Sequence, residues 1–174
     1  MSKKSKNIEA NSKIDKDKID INRLTDYNIL WFGIDKYGYV FCCRSEFTPH
    51  VPDSIIKNKD KIEILKNLFI EFLETKLIDN DIDYLTSKGI FYYDLIDEYY
   101  SEYSDDHKLI AESKQELKKH PYYYKKITKV NPENPLHIDQ LPEEIRNIIK
   151  SNIVKIDAHN TNYFFIPKLK SHKD

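Results

Sequence analysis

Two runs of β-forming residues, 27–34 and 39–43, flank the tetrapeptide Asp35-Lys36-Tyr37-Gly38, and no other segment constrains the fold as much. The segment holds the single tryptophan, Trp31, both cysteines, and two of the three glycines, Gly33 and Gly38. β-Branched and aromatic side chains suit a pleated, half-buried surface, and a tight glycine-containing connection joins two such runs as a hairpin. The tetrapeptide predicts a type I turn closed by Gly38 at positive φ. Neighbours on a strand point to opposite faces, so Cys42 and Cys43 do not suit a disulfide with each other. One is expected in the core and the other at or near the surface.

A chain of 174 residues suits one domain of the common ~100–200-residue size. Apolar residues make up 40% of it, enough for a core, and the net charge of −1 gives no strong overall field. Near-neutrality argues against a general nucleic-acid or membrane-surface binder. No apolar stretch approaches the ~20 residues that span a bilayer, and no apolar core follows the N-terminal lysines as a secretory signal requires. Two cysteines without a disulfide framework fit a reducing, cytoplasmic setting.

Residues 1–23 are polar and of mixed charge, which reads as a flexible leader, and 168–174 as a basic tail. Between them, 24–167 reads as a single domain. After the hairpin, Pro49 and Pro52 mark a loop, and Pro52 suits the first position of a short helix. Ile62, Leu65, Phe69, Phe72 and Leu73 recur at three- and four-residue steps and predict a helix over 61–78, with Ile64 and Leu68 widening its apolar stripe. Residues 79–87 read as a polar connection and 89–94 as a strand. Residues 95–120 form a charged, partly helical excursion, and 121–130 resumes the sheet. Leu141-Pro142-Glu143-Glu144-Ile145 opens a second helix, with proline at its first position and acids in its first turn. Two terminal strands, 152–157 and 163–166, follow, joined by a turn around Asp157-Ala158-His159-Asn160. Hairpin-linked strands mixed with helices predict an α+β fold: a mostly antiparallel sheet with two main helices packed on it.

Chemistry-bearing patterns are sparse. Gly33, Gly38 and Gly89 are scattered, and no phosphate-cradling loop can be drawn from them. Asp79-Asn80-Asp81-Ile82-Asp83 opens like an EF-hand loop, but Tyr84 stands where the sharp turn needs glycine and Ile90 where the bidentate acid belongs. Cys42, Cys43 and His50, with His137 or His159, lack the paired spacing of a zinc site. Cys42 or Cys43 with His137 and Asp139 can be drawn as a nucleophile, base and orienter, but no glycine-bracketed elbow surrounds either thiol. His137-Ile138-Asp139 reads instead as the entry to the second helix, with Asp139 bonding nearby backbone. Tyr122, Tyr123 and Tyr124 beside Lys125 and Lys126 resemble a stacking platform for single-stranded nucleic acid, but alternation buries one face of the run. No catalytic residue, metal ligand or cofactor is therefore expected.

Charge layout is the more informative pattern. Asp79, Asp81, Asp83, Asp94, Asp97, Glu98, Glu102, Asp105 and Asp106 meet a single base, Lys88, over 79–106. Lys108, Lys114, Lys118, Lys119, Lys125, Lys126 and Lys129 then meet only Glu112 and Glu116 over 108–129. Such blocks suit an excursion that pairs with itself. The acids are also interleaved with tyrosines, and aromatics amid one sign of charge suit an interface that steers a basic protein. The expected partner-binding set is Asp97, Glu98, Tyr99, Tyr100, Glu102, Tyr103, Asp105 and Asp106.

Trp31-Phe32-Gly33-Ile34-Asp35, Gly38, Phe41 and Val51-Pro52 resemble the opening of small bacterial proteins of the immunity type, which are encoded near secreted toxins. Gly89-Ile90-Phe91-Tyr92-Tyr93-Asp94, Tyr124, Pro132, Pro135-Leu136 and Leu141-Pro142 extend the resemblance, which spans about 28–166. It implies a cytoplasmic α+β protein without enzymatic activity that occludes a toxin's active site. It assigns no catalytic residues, and 95–120 looks like an insertion within it. The competing expectation is a small cysteine- or metal-dependent enzyme centred on Cys42, Cys43, His50 and His137.

Overall fold

The computed structural model describes residues 29–45, 51–52, 55, 59–75, 82–97, 114–120, 122–128 and 130–165. The leader, the basic tail and most of the excursion lie outside these residues. Five strands form one sheet in the order β1 (Ile29–Ile34), β2 (Val40–Ser45), β3 (Phe91–Asp97), β4 (Tyr122–Lys126) and β5 (Tyr163–Phe164). Three neighbouring pairs are antiparallel and β2–β3 is parallel. The fold is α+β with a mostly antiparallel sheet, as expected. A parallel pair needs a long crossover, usually helical. Helices α1 (Lys59–Phe72) and α2 (Ile82–Ser87) lie in that crossover, and α3 (Glu143–Ile149) lies between β4 and β5.

Strand alternation splits the core into two layers. Leu30, Phe32, Ile34, Val40, Cys42 and Tyr92 pack with Leu65 and Phe69 of α1, Leu73 just after it, Leu85 of α2, and Ile145 and Ile149 of α3. Phe32 and Phe69 stack with ring centroids 4.0 Å apart. On the opposite face Trp31, Phe41, Cys43, Phe91, Tyr93, Tyr124 and Phe164 form an aromatic layer closed by Val51, Ile55 and Ala158. Trp31 meets Phe41 and Tyr124 edge to face, and its Nε1–H donates to the Tyr124 hydroxyl at 3.1 Å. That bond lets a fully buried indole bring its donor inside without leaving it unpaired.

The first hairpin has the expected turn. Gly38 N–H donates to Asp35 O at 3.1 Å, Asp35 N–H to Tyr39 O at 3.0 Å, and Gly38 sits at φ 91°. A Cβ on Gly38 would also lie 2.6 Å from His137 Nε2.

Several boundaries differ from the sequence reading. α1 stops at Phe72 because the chain turns left-handed at Glu74, φ 55°. Ile64 is 48% exposed and outside the stripe, since it lies about 100° around the helix from Leu65. Part of the supposed polar connection is helical: α2 presents one buried residue, Leu85, too little for a period to show. β3 runs on through Leu95, Ile96 and Asp97, all buried, so the excursion starts three residues later than expected. Residues 114–117 within it form one helical turn. Pro142 is the N-cap of α3, one place before its first helical position. Residues 152–157 make only a bridge to β1 at Ile34 and Ile153. Its bonds are Ile34 N–H to Asn152 O (3.1 Å) and Val154 N–H to Ile34 O (3.0 Å).

Candidate functional site

Of the eight residues expected to bind a partner, only Asp97 lies among the described residues. It ends β3 opposite Tyr122 and is buried. Glu98, Tyr99, Tyr100, Glu102, Tyr103, Asp105 and Asp106 lie outside. The acidic block thus departs from a defined place, the point where β3 ends beside the start of β4. Asp94, also in that block, is committed to the sheet: Arg44 Nε and Nη2 donate to its two carboxylate oxygens at 3.0 and 2.8 Å. A two-pronged guanidinium–carboxylate pair is the geometry that best offsets the desolvation of both charges. Lys125 stands opposite Asp94 in the β3–β4 register, so acidic and basic blocks do meet within the sheet.

Both cysteines are fully buried, which corrects the expectation that one would reach the surface. β2 is an inner strand with both faces covered, so alternation sends Cys42 into the helical layer and Cys43 into the aromatic one. Burial pushes the Cys43 thiol well up, with Cys42 and Asp94 adding to the effect. A buried, protonated thiol is a poor nucleophile and a poor metal ligand. No group of three or more His, Cys, Asp or Glu among the described residues is placed to hold a metal ion. His50 lies outside them.

His137 has a local role. Its Nε2 meets Tyr37 O at 2.9 Å, and its Nδ1 accepts from Asp139 N–H at 3.3 Å. Gln140 Oε1 accepts from His137 N–H at 2.7 Å. The cap of the short 3-10 turn Ile138–Gln140 is therefore His137 with Gln140, and the Asp139 carboxylate sits 3.2 Å from His137 Nδ1.

Three loops converge at the end of the sheet opposite Asp97. Asp35, 1% exposed, accepts from Tyr37 N–H (2.8 Å) and Tyr39 N–H (2.9 Å) with one oxygen and from Ala158 N–H (2.9 Å) with the other. Lys126 Nζ donates to Ala158 O, His159 O and Asn131 Oδ1 and lies over the Phe91 ring. Burial lowers the Lys126 ammonium's pKa, against an opposing pull from Asp157. Asp157 is held below its usual range chiefly by the Asn160 amide. His159 packs between Tyr39 and Phe91. The Asp35 carboxylate and the Lys126 ammonium thus hold the three loops together. The small cavity nearby, between α1 and α3, holds about 10 Å³, room for roughly one water.

The sequence reading missed a surface at the other end. Tyr122, Tyr123 and Tyr124 are all buried, so none is free to stack a base. Tyr163 on the edge strand and Phe165 just after it are 49% and 40% exposed, and His120 lies against Phe165 with ring centroids 3.8 Å apart. A Tyr-Phe-Phe run reads as core unless one knows that the strand is an edge; the lysines beside His120 were its only sequence signal.

No helix among the described residues is long and apolar enough to cross a membrane. Compared with protein-family models, curated proteins and solved structures, the chain matches none of them.

Proposed function

We propose that this chain is a non-enzymatic protein-binding domain of the immunity type, which holds a basic protein such as a bacterial toxin through the acidic, tyrosine-bearing segment that follows β3. The observation that carries this reading is the anchoring of that segment. Leu95 and Ile96 are buried at the end of β3, Tyr122 and Tyr123 at the start of β4, and Asp97 stands opposite Tyr122. Both ends of an acid-rich insert are thereby pinned side by side in a rigid sheet. A charged surface presented this way speeds the capture of a partner of opposite sign. The segment's own sequence supplies Glu98, Glu102, Asp105 and Asp106 among Tyr99, Tyr100 and Tyr103.

Deleting 95–120 would remove buried parts of β3, so the test uses charge reversal instead. Glu98, Glu102, Asp105 and Asp106 are replaced together by lysine, which leaves every described core residue in place. The expected result is a basic protein retained from native lysate by the original chain and lost by the variant, with co-expression of the original chain relieving that protein's toxicity. Equal retention by both chains, or no relief of toxicity, overturns the reading.

A further inference from the structure

β5 closes one edge of the sheet. Lys126 N–H donates to Asn162 O at 2.7 Å, and Tyr124 stands opposite Phe164. In an antiparallel pair, alternate residues turn their main-chain groups toward the partner strand. Asn162 and Phe164 therefore face β4, the N–H and C=O groups of Tyr163 face outward, and the same alternation carried one residue past β5 turns those of Phe165 outward. Phe164 is buried, while Tyr163 and Phe165 present their rings on the other face, 5.7 Å apart and at 69°. Buried Tyr123 supports both rings from below. His120, against Phe165, ends a stretch whose Lys114, Lys118 and Lys119 are exposed and whose one acid, Glu116, lies 3.3 Å from Lys119. Natural edges are usually blunted by charge, proline or a covering element. Among the described residues, no strand pairs with this edge, and two exposed rings stand on it beside a surplus of positive charge.

We propose that β5 is a docking edge for an extended, acidic segment of a partner protein. The segment adds as a sixth strand, exchanges main-chain hydrogen bonds with Tyr163 and Phe165, and lays alternate side chains over their rings. Its carboxylates complement Lys114, Lys118 and Lys119. A second copy of this chain fits less well, because edge-to-edge pairing would bring the two lysine stretches together. A single-stranded nucleic acid would use the rings and lysines but leave the outward N–H and C=O groups unmatched. The proposal rests on the sheet edge and is independent of the reading of the acidic segment.

The full chain is titrated into a fluorescein-labelled octapeptide alternating valine with glutamate, its valine–lysine counterpart and a thymidine oligonucleotide, with fluorescence anisotropy as readout. Sedimentation velocity reports self-association. The glutamate peptide is expected to bind in a salt-sensitive manner and at least tenfold more tightly than the other two probes. Phe165→Pro deletes an outward N–H and a ring at an edge position where proline is tolerated, and weakens binding at least tenfold. Lys118→Glu with Lys119→Glu touches no strand and reverses the peptide preference, which keeps the test decisive if the proline variant misfolds. Equal binding of both peptides, no binding, tighter binding of the oligonucleotide, or a dimer dissociated by Phe165→Pro would each overturn the proposal.

Discussion

Asp35 joins two parts of the chain that lie 123 residues apart, through one buried carboxylate that accepts three backbone N–H groups. Asp35→Asn keeps a single acceptor oxygen and turns an amide N–H₂ toward one of those donors. The variant is expected to lose about 1–3 kcal/mol, the cost of a buried polar group left unpaired. Asp35→Ala, which orphans all three donors, should lose more. Urea midpoints with an unchanged slope would check both, and an Asn variant as stable as the original would refute the bridging role. The turn chemistry of Asp35 and Gly38 was legible in the sequence because it is local. The bond to Ala158 was not, because nothing near either residue marks the other. The cysteines teach the same lesson. Their opposite facing followed from alternation, but their common burial depends on β2 being an inner strand with both faces covered. Neither thiol should react with an aromatic disulfide reagent in the native state, and both should react on unfolding. Rapid native labelling of either would return the thiol-enzyme reading to consideration.

Two helix ends use the same device with different residues. At the end of α2, Ile90 N–H reaches Leu85 O (3.0 Å) and Gly89 N–H reaches Thr86 O (3.0 Å), with Gly89 at φ 86°. At the end of α1, Thr75 N–H reaches Ile70 O (3.1 Å) and Glu74 N–H reaches Glu71 O (3.1 Å), but the left-handed residue is Glu74. Both are Schellman caps, and only glycine takes the left-handed position without steric cost. Glu74→Gly should therefore stabilise the protein by about 0.5–1 kcal/mol, since relief of strain outweighs the extra freedom of the unfolded chain. Gly89→Ala should have the opposite sign and a larger size, above about 2 kcal/mol. Its Cβ would stand 2.4 Å from Asn134 O and 2.6 Å from Leu136 N, in addition to the φ penalty. Thermal or urea unfolding of the two variants checks the pair, and equal signs would show that the caps are not what limits these helix ends. Gly89 before Ile90 was readable as a strand start, but α2 before it was not, because a six-residue helix with one buried residue shows no period. The early stop of α1 was hidden for a related reason. Glu74 is a good helix former, so nothing in its type marks the left-handed turn it takes.

At the scale of the molecule, the α+β class and the antiparallel bias were legible from hairpin signals and alternation. The single parallel pair and the edge position of β5 were not, because both depend on which distant strands meet. The sheet that results buries tyrosines on both faces, and this makes stability depend on alkaline pH. Burial raises the pKa of Tyr92, Tyr93 and Tyr124 above the ordinary phenol value. The unfolded chain ionises these groups near pH 10 while the folded chain keeps them neutral. Their contribution is therefore complete below about pH 10 and falls above it by about 1.4 kcal/mol per pH unit for each tyrosine, or roughly 4 for the three together. A typical domain stability of ~5–15 kcal/mol would be exhausted within a few pH units. Loss of far-UV dichroism should coincide with a rise in tyrosinate absorbance. Tyr92 separates this effect from general base damage. Tyr124 shares its hydroxyl with Trp31, and Tyr93 donates to Thr161 O at 3.0 Å, but the buried Tyr92 hydroxyl has no partner among the described residues. Tyr92→Phe removes a desolvated polar group at no cost in hydrogen bonds, so at pH 7 it should be neutral or stabilising by up to about 1 kcal/mol. The same variant should lessen the alkaline slope by about 1.4 kcal/mol per pH unit, the share of one raised group. Tyr124→Phe should lessen the slope equally but destabilise at pH 7, because it strands the Trp31 donor. Denaturant midpoints from pH 7 to 11 for the three proteins distinguish these outcomes, and a Tyr92→Phe protein weaker than the original at pH 7 would mean that its hydroxyl has a partner after all.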